Sequence, residues 1–460
     1  MSASPTLAFV TLGCPKNTVD SEAMLGLLVR DGFRTVGSAD GADVAVVNTC
    51  AFLQSAVRES KDVIAGLAEA RRAGRLKGLI VTGCLAQRAG ATLLDEFPEV
   101  DAVLGTGRWA QVASAARHVL EGGARIASTD QAGGAIAAFD PDQPRALSTP
   151  RHLAYLKISE GCDHRCTFCI IPRLRGDQTS RALEDLVAEA SRLATLGVRE
   201  LNLIGQDTTA WGGDLPGRPD LADLLDALDR VEGLEWIRVH YTYPREWSDR
   251  LIETWARARR VVPYVDMPLQ HIAPDMLRRM ARGMTGRDTR ALVRRIKAGI
   301  PRVAFRTNFI VGFPGETEAE FEELTRYVED EGFDALVVFA YEREPGTPGA
   351  DMTPRVPVAV RRHRRAALLA LQQRLSAARL RARIGERMRV IVDGPAGRGQ
   401  WACRAAGQAW DVDGGVVVEG ENLVPGTLVD VRVTGSAAYD WFARVEPADE
   451  RTLVLLKGTC

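Results

Sequence analysis

The chain has 460 residues, 46% of them hydrophobic and 26% charged, which is typical of globular proteins and long enough for about three domains. A formal net charge of −1 excludes a global field that attracts nucleic acid, so such binding would need a local basic patch. The N-terminus shows no export signal, and no apolar run reaches membrane-spanning length. We therefore expect a cytoplasmic protein whose eight cysteines are reduced, which favours metal binding or catalysis over disulfides.

Residues 1–125 contain three short apolar segments that each end in a cysteine: Cys14, Cys50 and Cys84. The gaps of 36 and 34 residues each fit one strand–helix–strand unit, with helical patterns at Ser21–Arg30 and Ser55–Arg72. A fourth strand is predicted at 101–105. Alternating strands and helices predict a parallel, flavodoxin-like α/β sheet covered on both faces.

The three cysteines are predicted to meet at one edge of this sheet. Parallel strands end along a common edge, where ligands bind, and the helices that start there favour an anionic ligand such as a metal–thiolate cluster. The alternative is that the cysteines are buried as small hydrophobic residues. That alternative suits one cysteine better than three at matching positions.

Residues 126–150 lose periodicity and collect glycine and proline, which indicates a linker. Alternation returns in residues 151–385, with predicted helices near 181–196, 220–231, 247–259, 288–298 and 318–330. The predicted strands are Tyr155–Ser159, Glu200–Ile204, Trp236–Tyr241, Val261–Asp266, Ala304–Val311 and Ala335–Ala340. Six strand–helix repeats predict a partial (βα)6 barrel with its chemistry at the carboxyl ends of the strands.

Just after the first barrel strand, Cys162, Cys166 and Cys169 form a CxxxCxxC triplet. Thiolates are soft ligands suited to zinc, copper(I) or iron–sulfur clusters. A [4Fe-4S] cluster with three thiolate-bound irons and one open iron fits a single group of three. A zinc site, with His164 as a fourth ligand, or a disulfide loop is the alternative.

The triplet, together with the runs 156–161 and 172–176, resembles the radical S-adenosylmethionine (SAM) superfamily, its methylthiotransferase family and especially the RimO type. The resemblance implies that the open iron binds SAM and that the reduced cluster releases a 5′-deoxyadenosyl radical. The run 13–22 also resembles the family's amino-terminal domain, in which Cys14, Cys50 and Cys84 would hold a second [4Fe-4S] cluster. Strand-end loops resembling those of the family make SAM-contact candidates of Gly205, Gln206, Gln270 and Gly312.

From residue 352 to 385 the chain has nine arginines and no acidic residue, and leucines recur at helical spacing. This pattern predicts a basic amphipathic helix that closes the barrel, or alternatively one that contacts RNA phosphate. Residues 386–450 contain short strands separated by glycine-rich turns and predict a small antiparallel β-barrel, which resembles a TRAM domain. Six arginines against nine acidic residues between 386 and 446 favour a basic protein over RNA as its partner. Residues 451–460 are predicted to be a tail, and Cys403 and Cys460 to be spare thiols.

These features predict a radical SAM methylthiotransferase with two [4Fe-4S] clusters, in which SAM serves as radical source and as methyl donor. The RimO resemblance implies that it modifies the β-carbon of an aspartate in the small-subunit ribosomal protein at the decoding centre. The other expected partners are a flavodoxin- or ferredoxin-type electron donor and the ribosome, with no membrane contact and a monomeric chain. The alternatives are a tRNA-adenosine methylthiotransferase (MiaB type) and a non-catalytic RNA-binding module with structural zinc.

Overall fold

A computed structural model describes residues 4–129 and 143–446, which form three units in chain order. The predicted architecture is confirmed: a parallel α/β sheet, a partial (βα) barrel and a small closed β-barrel. The predicted tail with Cys460, and the centre of the predicted linker, lie outside the described residues. No helix in the described part of the chain has the length and apolar character that a bilayer crossing requires.

The N-terminal unit is a six-stranded parallel sheet in the order β2-β1-β3-β4-β5-β6. Its strands are β1 Thr6–Thr11, β2 Arg34–Thr35, β3 Val44–Thr49, β4 Gly78–Gly83, β5 Ala102–Leu104 and β6 Ile126–Ser128. Its helices are α1 Pro15–Arg30, α2 Gln54–Arg72, α3 Cys84–Ala89, α4 Thr92–Glu96 and α5 Val112–Leu120, with a 3₁₀ turn at Thr106–Gln111. The central strands β3 and β4 are buried along their whole length, which explains their continuous apolar runs.

The central unit contains six parallel barrel strands in two sheets, β7-β10-β11 and β12-β13-β14, and the antiparallel pair β8–β9 beside the cysteine loop. A parallel bridge between Ile237 and Val261 links the two sheets. The strands are β7 Leu153–Lys157, β8 Ser159–Glu160, β9 Thr179–Ser180, β10 Glu200–Ile204, β11 Trp236–Val239, β12 Tyr264–Asp266, β13 Ala304–Val311 and β14 Ala335–Ala340. The helices are α6 Ile171–Arg175, α7 Leu183–Thr195, α8 Leu221–Leu228, α9 Asp249–Arg257, α10 Pro274–Arg279, α11 Gly286–Gly299, α12 Glu318–Glu331 and α13 Val358–Ala382, with a 3₁₀ turn at Pro348–Ala350.

Two barrel strands are shorter than predicted. β11 ends at Val239 rather than at Tyr241, because Tyr241 has a positive φ of 59° and leaves the extended conformation. β12 begins at Tyr264 rather than at Val261, just after Pro263, a residue that has no N–H to donate to the ladder. Both differences shape the carboxyl or amino end of a strand and leave the parallel order unchanged.

The basic helix α13 lies against the barrel, and several of its arginines are bound there. Arg364 forms an ion pair of 2.5 Å with Glu316, and Arg365 donates to the carbonyl oxygen of Val338 at 2.9 Å. Arg379 donates to the carbonyl oxygen of Phe333 at 2.7 Å. These contacts favour a barrel-closing role for the helix over a phosphate-binding one.

The terminal unit is a closed five-stranded barrel in the order β15-β16-β17-β19-β18. Its strands are β15 Arg387–Gly397, β16 Gln400–Ala405, β17 Val416–Glu419, β18 Leu428–Ser436 and β19 Trp441–Val445. The predicted small antiparallel barrel is confirmed: four of its five strand pairings are antiparallel, and β17 and β19 pair in parallel. The parallel pair arises because β18 follows β17 in the chain and runs back to the end of the barrel at which β17 begins. β19 then starts beside the start of β17 and runs in the same direction.

A buried charge network docks the terminal barrel onto the central unit. Glu200 on β10 accepts from Arg238 at 2.9 Å and pairs at 2.6 Å with Arg404 of the terminal barrel. Arg404 also pairs with Asp393 at 2.8 Å, and Asp393 in turn lies 3.0 Å from His152. Burial opposes ionisation of Glu200, but Arg404 and Arg238 outweigh it and lower its pKa to about 2.

Replacing Arg404 by alanine leaves a buried carboxylate short of a partner on each side of this interface. We expect the opening free energy of β15 and β16 to fall by about 3–5 kcal/mol, as when one member of a buried pair is removed. Native-state hydrogen exchange of those strands measures the change. The matched control, Arg444→Ala, breaks an exposed pair with Glu419 in the same barrel and is expected to cost less than about 1 kcal/mol.

The same comparison has an expected pH dependence. Because the folded pKa of Glu200 is lowered from 4.5 to about 2, its contribution is complete above pH 4.5 and is lost as the pH falls through 2. The difference between the wild type and Arg404→Ala should therefore shrink over that range. A difference that does not change with pH would contradict the role given to the Glu200 carboxylate.

Candidate active site

The front trio, defined here as Cys14, Cys50 and Cys84, lies at the carboxyl edge of the N-terminal sheet. Each cysteine follows one of three adjacent strands: β1, β3 and β4. Cys14 is the residue before α1, and Cys84 is the first residue of α3. Gly13 has a φ of +99°, and a Cβ at this position would lie 2.8 Å from the Cβ of Cys50. Only glycine therefore permits the close approach of these two loops.

Polar side chains hold the backbone of the front trio. The amide of Asn17 donates to the carbonyl oxygens of Leu12 and Thr49, at 2.8 and 3.0 Å, and so ties the first cysteine loop to the second. The hydroxyl of Ser60 donates to the carbonyl oxygen of Cys50 and accepts from its N–H, at 2.9 and 3.1 Å. The position of the thiols is thus fixed by buried hydrogen bonds rather than by the strands alone.

The barrel trio, defined here as Cys162, Cys166 and Cys169, lies on the loop between β8 and α6. The N–H of Cys162 donates to the carbonyl oxygen of Gly176 at 3.1 Å, which closes the base of the loop. Gly161 has a φ of +81°, and a Cβ there would lie 2.0 Å from the carbonyl oxygen of Asp177. The sharp turn into the first thiol of this trio therefore also requires glycine.

All six thiols line one cavity of about 430 Å³ between the N-terminal sheet and the mouth of the barrel. The prediction that topology collects the front trio at one edge thus agrees with where the structure places those residues. The cavity also brings the front trio and the barrel trio, which are far apart in the chain, to the walls of a single space.

Burial raises the pKa of four of the six thiols and so favours their protonated form in the absence of a metal. It raises the pKa of Cys50 to about 11 and those of Cys162 and Cys169 to about 12, and it also raises the pKa of Cys84. Binding of iron requires the thiolate, so loading of the site releases protons. Two arginines stand ready to offset the resulting negative charge. Arg175 lies 3.5 Å from Sγ of Cys84, and Arg282 lies 3.4 Å from Sγ of Cys166.

The donor set fits iron–sulfur clusters better than a single metal ion. Within residues 4–129 and 143–446, no three histidine, cysteine, aspartate or glutamate side chains converge closely enough to hold one ion. A cluster instead needs thiolates that are spread around it, each on a different iron. Both trios line one cavity, and their thiols are the soft ligands that hold iron–sulfur clusters.

His164 has a different partner from the one that a zinc site would need. Its Nε2 lies 2.7 Å from Oδ2 of Asp207, and its ring stacks on Tyr243 with a centroid separation of 3.6 Å. Arg282 covers the same Tyr243 ring at 4.2 Å. These contacts give His164 a role in holding the cysteine loop against the barrel.

A buried charge network joins the two sides of the cavity. Asp20 of α1 pairs with Lys157 and, at 3.0 Å, with Arg175, while Glu160 pairs with the same two cations at 2.6 and 2.9 Å. The side chains of all four are at most 6% exposed, and the two positive charges balance the two negative ones. Burial opposes ionisation of Glu160, but Arg175 and Lys157 lower its pKa to about 2.

The four predicted SAM-contact residues are not all placed alike. Gln206 and Gln270 line the cavity, and Gln206 donates to Glu160 at 2.6 Å. Gly205 and Gly312 are not among the described residues that line it. Gly312 packs on Arg361, whose Cγ would lie 2.0 Å from a Cβ at that position. A SAM contact remains a prediction for all four.

Several lining residues carried no role in the sequence analysis. Lys16 is 8% exposed, and its Nζ lies 3.1 Å from the centre of the Tyr241 ring. Burial lowers the pKa of this lysine. Arg282 and Tyr243 are also missed, because neither follows a recognisable motif. For Lys16, its place two residues after Cys14 is the one signal available.

Three segments of the chain match known families. Residues 6–105 match the Uncharacterized protein family UPF0004, residues 156–328 the Radical SAM superfamily and residues 384–445 the TRAM domain. Among solved structures, the radical S-adenosylmethionine methyltransferase TsrM from Kitasatospora setae, with cobalamin and a [4Fe-4S] cluster bound, is similar with a TM-score of 0.57 and 17% identity. The match covers 75% of this chain and 77% of that one, and it concerns the fold alone. Fold and site together define a radical SAM enzyme.

Two relatives are similar over almost their whole length, and both are called ribosomal protein uS12 methylthiotransferase RimO. The protein from Anaeromyxobacter sp. (strain K) is 48% identical over 447 residues, which cover 95% of this chain and 93% of that protein. The protein from Myxococcus xanthus (strain DK1622) is 45% identical over 442 residues, covering 96% and 91%. The chain therefore belongs to the RimO family of methylthiotransferases.

Replacing Arg175 by alanine should weaken the joint between the two halves of the site. Asp20 and Glu160 would then share Lys157 as their nearest cation, and we expect the free energy of unfolding to fall by about 3–5 kcal/mol. Urea denaturation of the full chain, followed in the N-terminal unit, measures this change. The control, Arg278→Ala, removes an exposed pair with Asp275 and should change stability by less than about 1 kcal/mol. Equal effects of the two replacements would contradict the importance of the network.

Proposed function

We propose that this protein is a radical SAM methylthiotransferase that adds a methylthio group to the β-carbon of an aspartate in ribosomal protein uS12. The observation that carries the proposal is the presence of both cysteine trios on one cavity. A reaction that both activates a carbon and delivers sulfur to it needs two such groups within reach of one substrate atom. Membership of the RimO family supports the choice of this reaction.

We assign the two trios to two [4Fe-4S] clusters with different tasks. Cys162, Cys166 and Cys169 would hold the cluster that binds SAM, and Cys14, Cys50 and Cys84 would hold the auxiliary cluster. When bound, these clusters and SAM supply the radical that removes a hydrogen atom, the sulfur and the methyl group. Family resemblance and the placement of the thiols support the assignment of three cysteines to each cluster.

The chain itself contributes position, charge and exclusion of water. The hydrogen bonds of Asn17 and Ser60 fix the loops of the front trio, and the stack of His164 on Tyr243 fixes the loop of the barrel trio. Arg175 and Arg282 lie beside one sulfur of each trio and stabilise thiolate charge. Part of the lining, including Tyr155, Thr242 and Tyr243, is buried, and these side chains limit the access of water to that side of the cavity.

The terminal barrel supports a basic protein as the substrate. Although Asp393 and Asp413 are bound internally, to Arg404 and Arg306, other carboxylates remain on its surface. The exposed ones are Asp411, Glu419, Glu421 and Asp430. Five exposed arginines offset these carboxylates, so the support for a basic protein over RNA phosphate rests on the net charge of −3 between residues 386 and 446, where six arginines stand against nine acidic residues.

Further features of the proposal concern the setting of the reaction. We infer that the protein works as a monomer in the cytoplasm, where its substrate is made and assembled into ribosomes. A one-electron donor of the flavodoxin or ferredoxin type would reduce the barrel cluster. The ribosome is a further expected contact when the substrate is met after assembly.

The reaction can be tested directly with the anaerobically reconstituted protein, SAM, a reductant and purified uS12. We expect mass spectrometry to find one methylthio group on the target aspartate, and none when SAM is left out. Unmodified tRNA tested in parallel should stay unchanged. A methylthio group on tRNA adenosine with unmodified uS12 would contradict the proposed substrate.

Cysteine replacements test the division of tasks between the trios. The reconstituted wild type should contain about eight irons, whereas Cys50→Ala and Cys166→Ala should each lose about four. Cys50→Ala should abolish methylthio transfer but keep SAM cleavage, because the barrel trio is intact. Cys166→Ala should lose both. The control, Cys403→Ala, replaces a buried cysteine of the terminal barrel and should leave iron content and transfer unchanged.

A further inference from the structure

The described residues that line the cavity include lysine and arginine side chains but no carboxylate. The four are Lys16, Arg175, Arg282 and Arg306. A buried cation is costly unless an anion or a hydrogen-bond acceptor lies beside it. The partners of these four side chains therefore show which of them remains available to an anionic ligand.

The three arginines are already engaged within the protein. Arg175 pairs with Asp20 and Glu160, as described above. Arg306 pairs with Asp266 at 3.1 Å and with Asp413 at 3.3 Å. Arg282 donates to the carbonyl oxygen of Pro268 at 2.6 Å and faces Sγ of Cys166.

Lys16 differs from the arginines because its side chain forms no hydrogen bond or ion pair with any residue in the described ranges. Its contact is with the face of Tyr241, which compensates a buried cation only in part. It also lies in the first turn of α1, where the helix dipole disfavours a positive charge. The fold thus holds an ammonium group at 8% exposure, in a cavity wall, in two unfavourable settings.

We propose that Lys16 binds the side-chain carboxylate of the aspartate that is modified, which rests on the function proposed above. Lys16 follows Cys14 by two residues, so its ammonium stands on the side of the front trio. The carboxylate of SAM belongs, by the family resemblance, to the barrel trio opposite. Among the four cations, Lys16 is the one whose charged group has no hydrogen-bond acceptor in the described ranges, which leaves it available to the substrate carboxylate.

The ion pair also explains how one carbon is selected. In aspartate the β-carbon is bonded directly to the carboxylate carbon, so holding the carboxylate fixes the reacting carbon one bond away. The same contact discriminates against asparagine and against a neutral nucleobase, neither of which provides a negative charge. Lys16 is therefore a substrate-binding residue that contributes to both position and specificity.

The test compares binding of uS12 with binding of its variant in which the target aspartate is replaced by asparagine. Reconstituted wild-type enzyme should bind the aspartate form at least about tenfold more tightly, which corresponds to about 1.4 kcal/mol. In Lys16→Gln the preference should fall to about one, whereas Lys16→Arg should keep part of it. Lys61→Gln, a surface lysine on α2, is the control and should bind like the wild type.

Two controls separate this contact from a general defect of the site. Iron content and SAM affinity of Lys16→Gln should equal those of the wild type. Its kcat/KM for uS12 should fall by at least about a hundredfold. The proposal is overturned if Lys16→Gln keeps the preference for aspartate, or if it loses iron content or SAM affinity together with that preference, because the lysine would then support the site as a whole rather than the substrate. A wild-type enzyme that binds both forms equally overturns it without any variant, and wild-type modification of uS12 itself tests the proposed function separately.

Discussion

The joint between the N-terminal sheet and the barrel depends on four buried charges. Asp20 comes from the sheet unit, while Lys157, Glu160 and Arg175 come from the barrel, and each cation contacts both anions. Charges of this kind are stable inside a protein only when every partner is in place. The network therefore permits one relative position of the two units, and that position sets the front trio opposite the barrel trio. An apolar interface of the same size would tolerate sliding, which would separate the thiols.

The barrel is held in the same way at its contact with the terminal unit. Glu200 and Arg238 on the barrel side meet Arg404 and Asp393 of the β-barrel, again with each charge compensated. Because Arg306 pairs with Asp266 of the barrel and with Asp413 of the terminal unit, this docking also reaches the wall of the cavity. The terminal unit is thus connected to the site and is not merely tethered to it. A substrate that binds the terminal unit approaches the cavity along that connected side.

Much of the fold could be predicted from local patterns. Continuous apolar runs such as those of β3 and β4 mark buried parallel strands, and the topology of parallel sheets collects their ends at one edge. The edge strand β2 was missed because its two residues are exposed and carry no apolar pattern. The other edge strand, β6, was missed because its three residues lie at the start of the segment predicted to be a linker. The parallel seam between β17 and β19 was missed because strand order in a closed barrel is not written in any one segment.

The site divides in the same way between local and long-range information. The six cysteines could be found because their spacing is local to loops or repeats from unit to unit. The charge networks could not be predicted, because they join residues that are more than a hundred positions apart, such as Asp20 and Lys157. The contact of Lys16 with Tyr241 could not be predicted either, because Tyr241 follows the end of a strand and has unusual backbone geometry. Lysine, arginine and glutamate are common on surfaces, so burial alone distinguishes these members from the rest.

The geometry at Gly13 limits which mutations this position can tolerate. The atoms of Cys50 occupy the place that any side chain at Gly13 would take, and the left-handed backbone there excludes other residues a second time. Every missense change of that codon thus places atoms against the side chain of Cys50, a member of the front trio. A neighbouring residue can be replaced when the substitute keeps the thiol or the hydrogen bond of that position, but Gly13 has no acceptable substitute. The loop that contains Gly13 and the strand end that carries Cys50 should therefore be kept together, both in evolution and in a redesigned enzyme.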